Sequence, residues 1–362
     1  MRIGVDGRDL ADQAASGLRQ SRGIARYASS LLNALVTAHP EHDWVVALPA
    51  GAPEPALAGV EVRRARLTRR VAGLGAATVG RPRLDRVLGN VDVLWLPAPV
   101  PVAVSAGVPY VLTVHDLSTE LRRRDLSPYP RLWSRLTRAR RLAARARAVM
   151  VDSEATRSDA LVHWELAPER VRLVRPGVWH PPAGGVRPAG VPDDYLLYVG
   201  ALEPRKGLEV LLRAYAGARA AGLRSALVVA GDGPLGPSLR AQGVVLTGRV
   251  GDGELAALYA GARATVLPSH LEGFGFTPLE SLAAGTPAVV SDLPVLRETL
   301  GDAAVFVPPG DSRALAAAIG AVVDDTGLRN RLMAAAPAAL AALSWQRAAD
   351  QAMATLLEAA GP

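Results

Sequence analysis

Two adjacent cations lie where an apolar run meets a predicted helix. The segment reads Gly200-Ala-Leu-Glu-Pro-Arg-Lys-Gly207, and its basic pair is Arg205 and Lys206. Cations beside a helix N-terminus can hold the oxygens of a diphosphate. Lys206 is the only lysine in the chain, which favours a site that needs a compact ammonium group. The segment therefore predicts a diphosphate site, with a solvated turn as the alternative.

Two carboxylates follow in the segment Glu272-Gly-Phe-Gly-Phe-Thr-Pro-Leu-Glu280. We expect Glu272 in a loop after a strand and Glu280 in the first turn of the next helix, where a carboxylate suits the helix dipole. The glycines between them allow the backbone N–H groups to approach a ligand closely. Carboxylates that accept from hydroxyls, together with donors for phosphate, indicate a polyhydroxylated anionic ligand.

A Gly-x-Gly-x-x-Gly pattern is formed by Gly231, Gly233 and Gly236. A dinucleotide fingerprint must open a helix within a βαβ unit of about 30 residues. Pro234 and Pro237 interrupt the start of any such helix, and the next predicted strand begins by Val244. The pattern therefore predicts a tight turn and not a dinucleotide site.

The composition excludes several classes of protein. The chain has 362 residues, 49% of them hydrophobic and 21% charged, which is typical of a globular protein of about two domains. It has no cysteine, which excludes disulfides, thiol catalysis and cysteine-ligated metal centres. Prolines interrupt the most apolar stretch, Val91–Val114, and the first residues lack the apolar core of a signal peptide. The sequence predicts a cytoplasmic protein.

The positive charge is concentrated in one region. Net charge is +7, yet residues 1–180 carry +10 and residues 181–362 carry −3. Residues 61–150 hold 18 arginines against 6 acidic residues. Only 4% of residues are aromatic, which disfavours a nucleic-acid binder because stacking surfaces for bases are scarce. The basic region fits an anionic acceptor or the inner face of a membrane, or it is simply a solvated arginine face.

Both halves alternate short apolar strands with helical patterns, as parallel βαβ units do. In the first half we expect strands at Arg2–Asp6, Trp44–Leu48, Val91–Leu96, Tyr110–Val114 and Ala148–Val151, and helices at Arg22–Ala38 and Arg131–Arg147. In the second half we expect strands at Tyr195–Val199, Ser225–Ala230, Val244–Thr247, Ala264–Leu267, Ala288–Val290 and Ala304–Val307. The helices expected there are Leu208–Ala221, Gly253–Ala260, Pro278–Ala284, Ser312–Val323 and Trp345–Ala359.

A Pro/Gly-rich linker at Pro176–Pro192 separates the two halves. The pattern predicts an α/β protein with an N-terminal Rossmann-like domain at 1–180 and a C-terminal one at 190–344. A last helix, within 345–362, is expected to pack back on the first domain. Two such domains predict a cleft between them, where ligands bind beyond the carboxyl ends of the strands.

The ordered motifs of the chain resemble those of retaining glycosyltransferases of the GT-B fold, family 4. The resemblance covers nearly the full length and depends on the order and spacing of six motifs. These are Arg22-Gly-Ile-Ala-Arg-Tyr27, Thr113-Val-His-Asp116, Val151-Asp-Ser-Glu154, Val174-Arg-Pro-Gly-Val178, Tyr198-Val-Gly-Ala-Leu-Glu-Pro-Arg-Lys-Gly207 and Pro268-Ser-His-Leu-Glu-Gly-Phe-Gly-Phe276, which leads into Glu280.

The resemblance implies a role for each matching residue of the second half. Arg205 and Lys206 would hold the donor diphosphate, and Glu280 would accept from the nucleotide ribose. Glu272 would bind donor sugar hydroxyls, helped by backbone N–H groups from Gly273, Phe274 and Gly275. Arg249 and Val250 would pack against the base. Ala201 stands where family members often carry an arginine, so one phosphate-binding arginine is either missing here or replaced by Arg205. His270 occupies a variable position.

In the first half, the resemblance places His115 beside the donor sugar and Gly23 in a loop near the phosphates or acceptor. A buried histidine with satisfied partners is the alternative for His115. Asp116 is expected to have a structural role, for example by orienting His115.

The resemblance implies transfer of a hexosyl group from a nucleotide-sugar to a hydroxyl acceptor with retention, through front-face attack. No pair of carboxylates suited to double displacement is evident. The pattern is most similar to mannosyl-type members, which favours GDP-mannose, with UDP- and dTDP-sugars or a GT-B epimerase as alternatives. We expect no cofactor and no metal. No motif of the sequence identifies the acceptor. A lipid-linked or anionic acceptor fits the basic region.

Overall fold

The computed structural model describes residues 1–10, 23–54, 57–122, 124, 128–182, 184–236, 239 and 244–361. Arg22 and Pro237, which entered the sequence analysis, lie outside these residues. The chain divides into two compact units, one of Met1–Gly177 with Ser344–Pro362 and one of Val178–Leu343. Within the described ranges, no helix is both long enough and apolar enough to cross a membrane.

The first unit is built on a seven-stranded parallel sheet. Its strands are β1 (Arg2–Asp6), β2 (Asp43–Leu48), β3 (Val60–Arg64), β4 (Val93–Leu96), β5 (Tyr110–Val114), β6 (Ala148–Val151) and β7 (Val171–Leu173). They lie in the order β3-β2-β1-β4-β5-β6-β7. Every residue of β4, β5 and β6 is buried, as expected for parallel strands covered on both faces.

Helices flank this sheet, and the last helix of the chain is one of them. In order they are α1 (Gly23–Ala38), α2 (Arg69–Val79), α3 (Leu84–Leu88), α4 (Ser118–Leu121), α5 (Pro128–Thr137), α6 (Ala139–Arg145), α7 (Glu154–Trp164) and, from the C-terminal segment, α14 (Trp345–Ala360). Helix α14 packs on α1 and against β4, β5 and β6. Its buried side chains include Met353 and Leu356.

The second unit repeats the architecture with six parallel strands. These are β8 (Tyr195–Val199), β9 (Ala226–Ala230), β10 (Val245–Gly248), β11 (Ala264–Leu267), β12 (Ala288–Ser291) and β13 (Ala304–Val307), in the order β10-β9-β8-β11-β12-β13. The strand order reverses between β8 and β11, which is the switch point where doubly wound sheets bind ligands. The predicted α/β class, with two Rossmann-like parallel sheets, is confirmed.

The described residues of the second unit include six helices with defined bounds. They are α8 (Leu208–Ala220), α9 (Asp252–Gly261), α10 (Phe276–Ala283), α11 (Pro294–Leu300), α12 (Ser312–Asp324) and α13 (Thr326–Ala341). Asp311 caps α12 by accepting from the N–H groups of Arg313 and Ala314. The core gathers Leu196, Leu211 and Leu315, all fully buried.

The long helix predicted at Arg131–Arg147 is wrong. The structure has two helices, α5 and α6, separated at Arg138, whose φ of 50° is left-handed. A residue in that conformation cannot continue a right-handed helix. The first of the two begins earlier than predicted, at Pro128.

The predicted position of Glu280 in a first turn is also wrong. Helix α10 begins at Phe276, two residues before the predicted Pro278, because Gly275 takes a left-handed conformation (φ 92°) and forms the N-cap. Glu280 therefore lies in the second turn, where it is buried.

Several elements were not predicted from the sequence, for two reasons. Strand β3 carries Glu61, Arg63 and Arg64, the charges of an edge strand, and β7 has only three residues. Helices α7 and α13 have almost no amphipathic pattern, since their apolar residues are spread around the helix. Position in the sheet and packing decide these elements more than local sequence does.

Candidate active site

Three of the predicted charged residues of the second unit, Arg205, Lys206 and Glu272, lie on two segments at the switch point. Strand β8 leads into residues 200–207, and its sheet neighbour β11 leads into residues 268–275. Parallel neighbours place their carboxyl ends at the same sheet edge. Residues more than sixty positions apart are therefore brought together.

Lys206 and Glu272 form the centre of this site. The Lys206 Nζ lies 2.6 Å from Oε1 of Glu272, and the Ser269 hydroxyl donates to the same oxygen at 2.6 Å. Both charged side chains are largely buried, with 14% of Lys206 and 9% of Glu272 exposed. Charge-assisted hydrogen bonds of this kind hold both groups in fixed positions.

Backbone contacts tie the two loops to each other. The N–H of His270 donates to the carbonyl oxygen of Arg205 at 2.9 Å. Gly207 has a φ of 68°, and a Cβ there would overlap the carbonyl oxygen of Pro268. Glycine is therefore required for this close approach.

The Arg205 and His270 side chains have partners of their own. Nε of Arg205 donates to Glu203 at 3.1 Å, and about a quarter of the Arg205 side chain is exposed (23%). The His270 ring lies 3.0 Å from Glu209 in α8.

The three-glycine pattern has a packing role. A Cβ on Gly231 would overlap the carbonyl oxygen of Gly200, and one on Gly233 would lie 2.7 Å from the carbonyl oxygen of Leu202. The N–H of Leu202 donates to the Asp232 carbonyl oxygen at 3.0 Å. Gly231 and Gly233 thus let two loops pack backbone to backbone.

Glu280 lies in α10 and faces α9. Its Oε2 accepts from the Tyr259 hydroxyl at 3.0 Å, and the residue is 7% exposed. Tyr259 itself is fully buried. This bond holds the carboxylate in one orientation.

The remaining predicted residues of this unit lie near the same sheet edge. Arg249 follows β10, and its Nε lies 3.4 Å from Asp232, which follows β9. Val250 packs partly buried against the core around Tyr195. Gly273, Phe274 and Gly275 are buried, and the Phe274 ring packs 4.9 Å from that of Phe276.

His115 lies in the first unit, directly after β5. Nδ1 donates to Asp152 at 2.6 Å, and Nε2 donates to the carbonyl oxygen of Pro97 at 2.9 Å, since a carbonyl only accepts. Asp152 follows β6 and Pro97 follows β4, so three strand ends converge on one ring. The Tyr27 ring packs edge-on at 4.6 Å.

The surroundings of His115 favour its charged form. Burial lowers the pKa of His115, but the Asp152 charge and both hydrogen bonds outweigh it, and the pKa is raised above its ordinary value. The expectation that Asp116 orients the ring is wrong. Asp116 accepts from the Ser118 N–H at 2.8 Å, and Asp152 holds His115 instead.

Gly23 is the first residue of α1 and is exposed. A Cβ there would meet no atom within 4 Å. Gly23 and His115 belong to the first unit, whereas all other predicted site residues belong to the second.

Three residues of these sites escaped the sequence analysis. Ser269 and Tyr259 position Glu272 and Glu280, and Asp152 positions His115. Asp152 and Ser269 lie within the quoted motifs, directly after or near the ends of predicted strands, but they were given no role there. Tyr259 carried no signal.

Two parallel sheets flanked by helices define an α/β protein of the doubly wound type. Residues 21–179 match the sequence model of the family Glycosyltransferase Family 4, and residues 188–339 match that of Glycosyl transferases group 1. The chain belongs to this family of GT-B glycosyltransferases.

Two curated relatives are similar to parts of the chain. D-inositol 3-phosphate glycosyltransferase of Thermobispora bispora is 37% identical over 50% of this chain and 49% of its own length. O-antigen chain mannosyltransferase B of Escherichia coli is 34% identical over 44% of each chain. The chain thus spans about half the length of these relatives.

A solved structure shares the fold along the whole chain. The Anabaena protein HepE, in complex with UDP and glucose, has a TM-score of 0.71 at 19% identity. The match covers 99% of this chain and 100% of that chain.

Proposed function

We propose that the chain transfers a hexosyl group from a nucleotide-sugar to a hydroxyl acceptor. The observation that carries this proposal is the Lys206–Glu272 pair at the switch point of the second sheet. In this pair, a cation that could bind phosphate lies 2.6 Å from a carboxylate that could bind sugar hydroxyls. Family membership supports the same reaction.

In this proposal Lys206 and Arg205 bind the diphosphate and stabilise the charge of the departing nucleotide. Glu272 and the backbone of Gly273–Gly275 bind the sugar hydroxyls. Glu280, fixed by Tyr259, accepts from the ribose. Arg249 and Val250 contact the base.

His115 and Gly23 act from the first unit, on the sugar and on the phosphates or acceptor. Both ring nitrogens of His115 already have partners, so the imidazolium acts through its charge and position and not as a general base.

We propose mannose from GDP-mannose as the donor group, which the likeness to a mannosyltransferase supports. UDP-sugars are the second candidate, because HepE has a similar fold and was solved with UDP. Thermal-shift titration with GDP, UDP, dTDP and ADP separates these, since stabilisation follows ligand concentration over Kd. Stabilisation by GDP alone, lost in Lys206→Ala, is expected. A response to UDP alone would replace the mannosyl donor.

We propose retention of configuration through front-face attack, with the leaving phosphate taking the acceptor proton. Glu272 already accepts from Lys206 and Ser269, an arrangement suited to binding hydroxyls and not to nucleophilic attack. Proton NMR of the product, recorded before the anomers equilibrate, should show the donor's anomeric configuration. The opposite anomer would contradict this step.

We propose that transfer needs no metal, because Arg205 and Lys206 supply the cationic charge that a divalent ion otherwise gives to a diphosphate. The rate should change less than about twofold in excess EDTA. Loss of transfer in EDTA, with recovery on adding Mg²⁺, would contradict the proposal.

We further propose an anionic acceptor, presented at a membrane surface that the basic region 61–150 contacts. Helix α2 supports this, because Val71, Leu74 and Val79 are each more than half exposed and the helix begins with Arg69 and Arg70. Arginine and exposed apolar side chains together suit an anionic lipid surface. Binding to anionic vesicles should weaken as salt rises. Absent or salt-insensitive binding would remove the membrane proposal.

A further inference from the structure

The first unit contains a cavity of about 670 Å³ to which no role has yet been given. Helix α4 and the junction of α5 with α6 line it. Its lining includes Glu120, Ser134, Arg135, Arg138, Arg140 and Arg141. Four of these six side chains are arginines.

Among the described lining residues, four arginines stand against a single carboxylate, Glu120, so the net charge of the lining is positive. Arg140 pairs with Glu165 at 2.7 Å, and Glu120 accepts from the indole N–H of Trp164 at 2.6 Å. Within the described part of the chain, Arg135, Arg138 and Arg141 have no carboxylate partner. Three guanidinium groups that share a cavity repel one another, and an anion with several charges is their complement.

Arg138, in the middle of this lining, has an unusual backbone conformation. Its φ of 50° is strained for a residue other than glycine, and it breaks the helix between α5 and α6. Arg135 from the helix before this break and Arg141 from the helix after it line the same cavity. Strained residues of this kind occur preferentially at ligand sites.

We propose that this cavity binds a phosphate ester through Arg135, Arg138 and Arg141. A guanidinium fork matches two phosphate oxygens, which makes arginine the better group for this role than lysine. The exposed Thr119 at the rim adds a hydroxyl donor. The proposal rests on the proposed function only in that the phosphate would belong to the anionic acceptor.

The phosphate has two sources with the same chemistry, a soluble phosphate ester or the headgroup of an anionic lipid. Inorganic pyrophosphate probes the cavity in solution. Phosphatidylcholine vesicles with and without phosphatidic acid probe the lipid source. Every titration uses the 362-residue chain with the substitution Lys206→Ala. This substitution weakens the proposed diphosphate site of the second unit, so that binding to the cavity is measured.

Arg138→Gly is the main variant, because glycine adopts the left-handed conformation without strain and the fold should persist. Arg141→Gln is the second variant, and Arg145→Gln is the control. Arg145 is exposed on α6, outside the cavity lining, and its loss changes the net charge equally.

Calorimetry should show pyrophosphate binding that weakens at least about tenfold in Arg138→Gly and in Arg141→Gln. The Arg145→Gln control should change it less than about twofold. No binding, equal binding in all variants, or equal weakening in the control would overturn the proposal. Absence of transferase activity would leave this result unaffected, so the two proposals fail separately.

The vesicle experiment distinguishes a lipid headgroup from a soluble phosphate ester. Recruitment by phosphatidic acid that Arg138→Gly abolishes supports a lipid headgroup. Pyrophosphate binding without vesicle recruitment supports a soluble ester. Recruitment that survives in Arg138→Gly would exclude the cavity as the lipid site.

Discussion

Lys206 and Glu272 are 66 positions apart in the sequence and form one short ion pair. This pair fixes the positions of both side chains before any ligand binds. Lys206 and Glu272 neutralise each other at 2.6 Å while both are nearly buried. A diphosphate would compete for the ammonium, and sugar hydroxyls would occupy the carboxylate. The pair therefore holds the two side chains in the places proposed for ligand binding before a donor arrives, which would reduce the ordering cost of binding.

Replacing either partner should separate their two roles. Lys206→Ala should weaken nucleoside diphosphate binding about 10- to 100-fold, because a charged hydrogen bond is lost. Glu272→Ala should abolish transfer with a much smaller effect on that binding. Calorimetry and a transfer assay measure the two effects. Arg213→Ala removes an exposed cation of α8 and serves as the control. Full activity in both site variants would disprove the site.

The raised pKa of His115 makes a prediction about stability and pH. The charged ring stabilises the fold most below its ordinary pKa of about 6.5. That contribution is lost as pH rises through the higher pKa of the folded state. Urea unfolding of the first unit should therefore show falling stability with rising pH across this window.

His115→Gln should remove this pH dependence, and so should Asp152→Asn, which takes away the charge that raises the pKa. His163→Gln, an exposed histidine on α7 of the same unit, should keep it. An unchanged slope in both His115→Gln and Asp152→Asn would show that the pair is not charged in the fold.

At the scale of elements, the site depends on two loops that touch through their backbones. Gly207 lies in the left-handed region and directly against the Pro268 carbonyl. Gly207→Ala should cost at least about 2 kcal/mol of stability, from strain plus displacement of a backbone. It should also weaken nucleotide binding, because Lys206 is the preceding residue.

Gly253→Ala is the matched control for Gly207→Ala. Gly253 lies in α9, a Cβ added there would meet no atom within 4 Å, and alanine favours the helix. Its unfolding midpoint should stay equal or rise slightly. Equal midpoints for both variants in thermal unfolding would show that the loops do not need the close approach.

Much of this arrangement could be predicted from the sequence, because buried parallel strands are short apolar runs. Residues 110–114, 195–199 and 264–267 form strands with the predicted bounds. The loops after residues 195–199 and 264–267 therefore lie at one edge of the second sheet, as expected. Pairing across the loops was not predicted, since nothing local links Lys206 to Glu272 or His115 to Asp152.

Predictions failed where backbone conformation decides an element. Arg138 breaks a helix that its sequence favours throughout, and Gly275 starts another two residues early. In both places a left-handed residue overrides the local pattern. A glycine is compatible with the left-handed conformation, so its presence can suggest it. An arginine disfavours that conformation, so the break at Arg138 could not be predicted from the sequence.

At the scale of the whole molecule, the first unit depends on a segment that lies after the second. Helix α14 packs on α1 and on three central strands, and Ala348, Ala352 and Leu356 are fully buried. Truncation after Leu343 should expose this core and lower the melting temperature of the first unit by several degrees or more. The second unit should change little. Calorimetric scanning resolves the two transitions.

A variant with Leu357→Ala provides the control for that truncation. Leu357 is 48% exposed on α14, so its loss should shift the first transition only slightly. An unchanged first transition in the truncated chain would show that α14 adds no stability.

The discontinuous first unit also imposes an order on synthesis. The second unit is one continuous segment, and every residue of it leaves the ribosome before Ser344. Because domains generally fold as units during synthesis, the second unit can finish first although it comes later in the chain. Until α14 leaves the ribosome, the apolar surface of α1 and of the central strands that α14 buries is exposed to solvent. In the cell, this waiting interval is the period when the nascent chain most needs a chaperone.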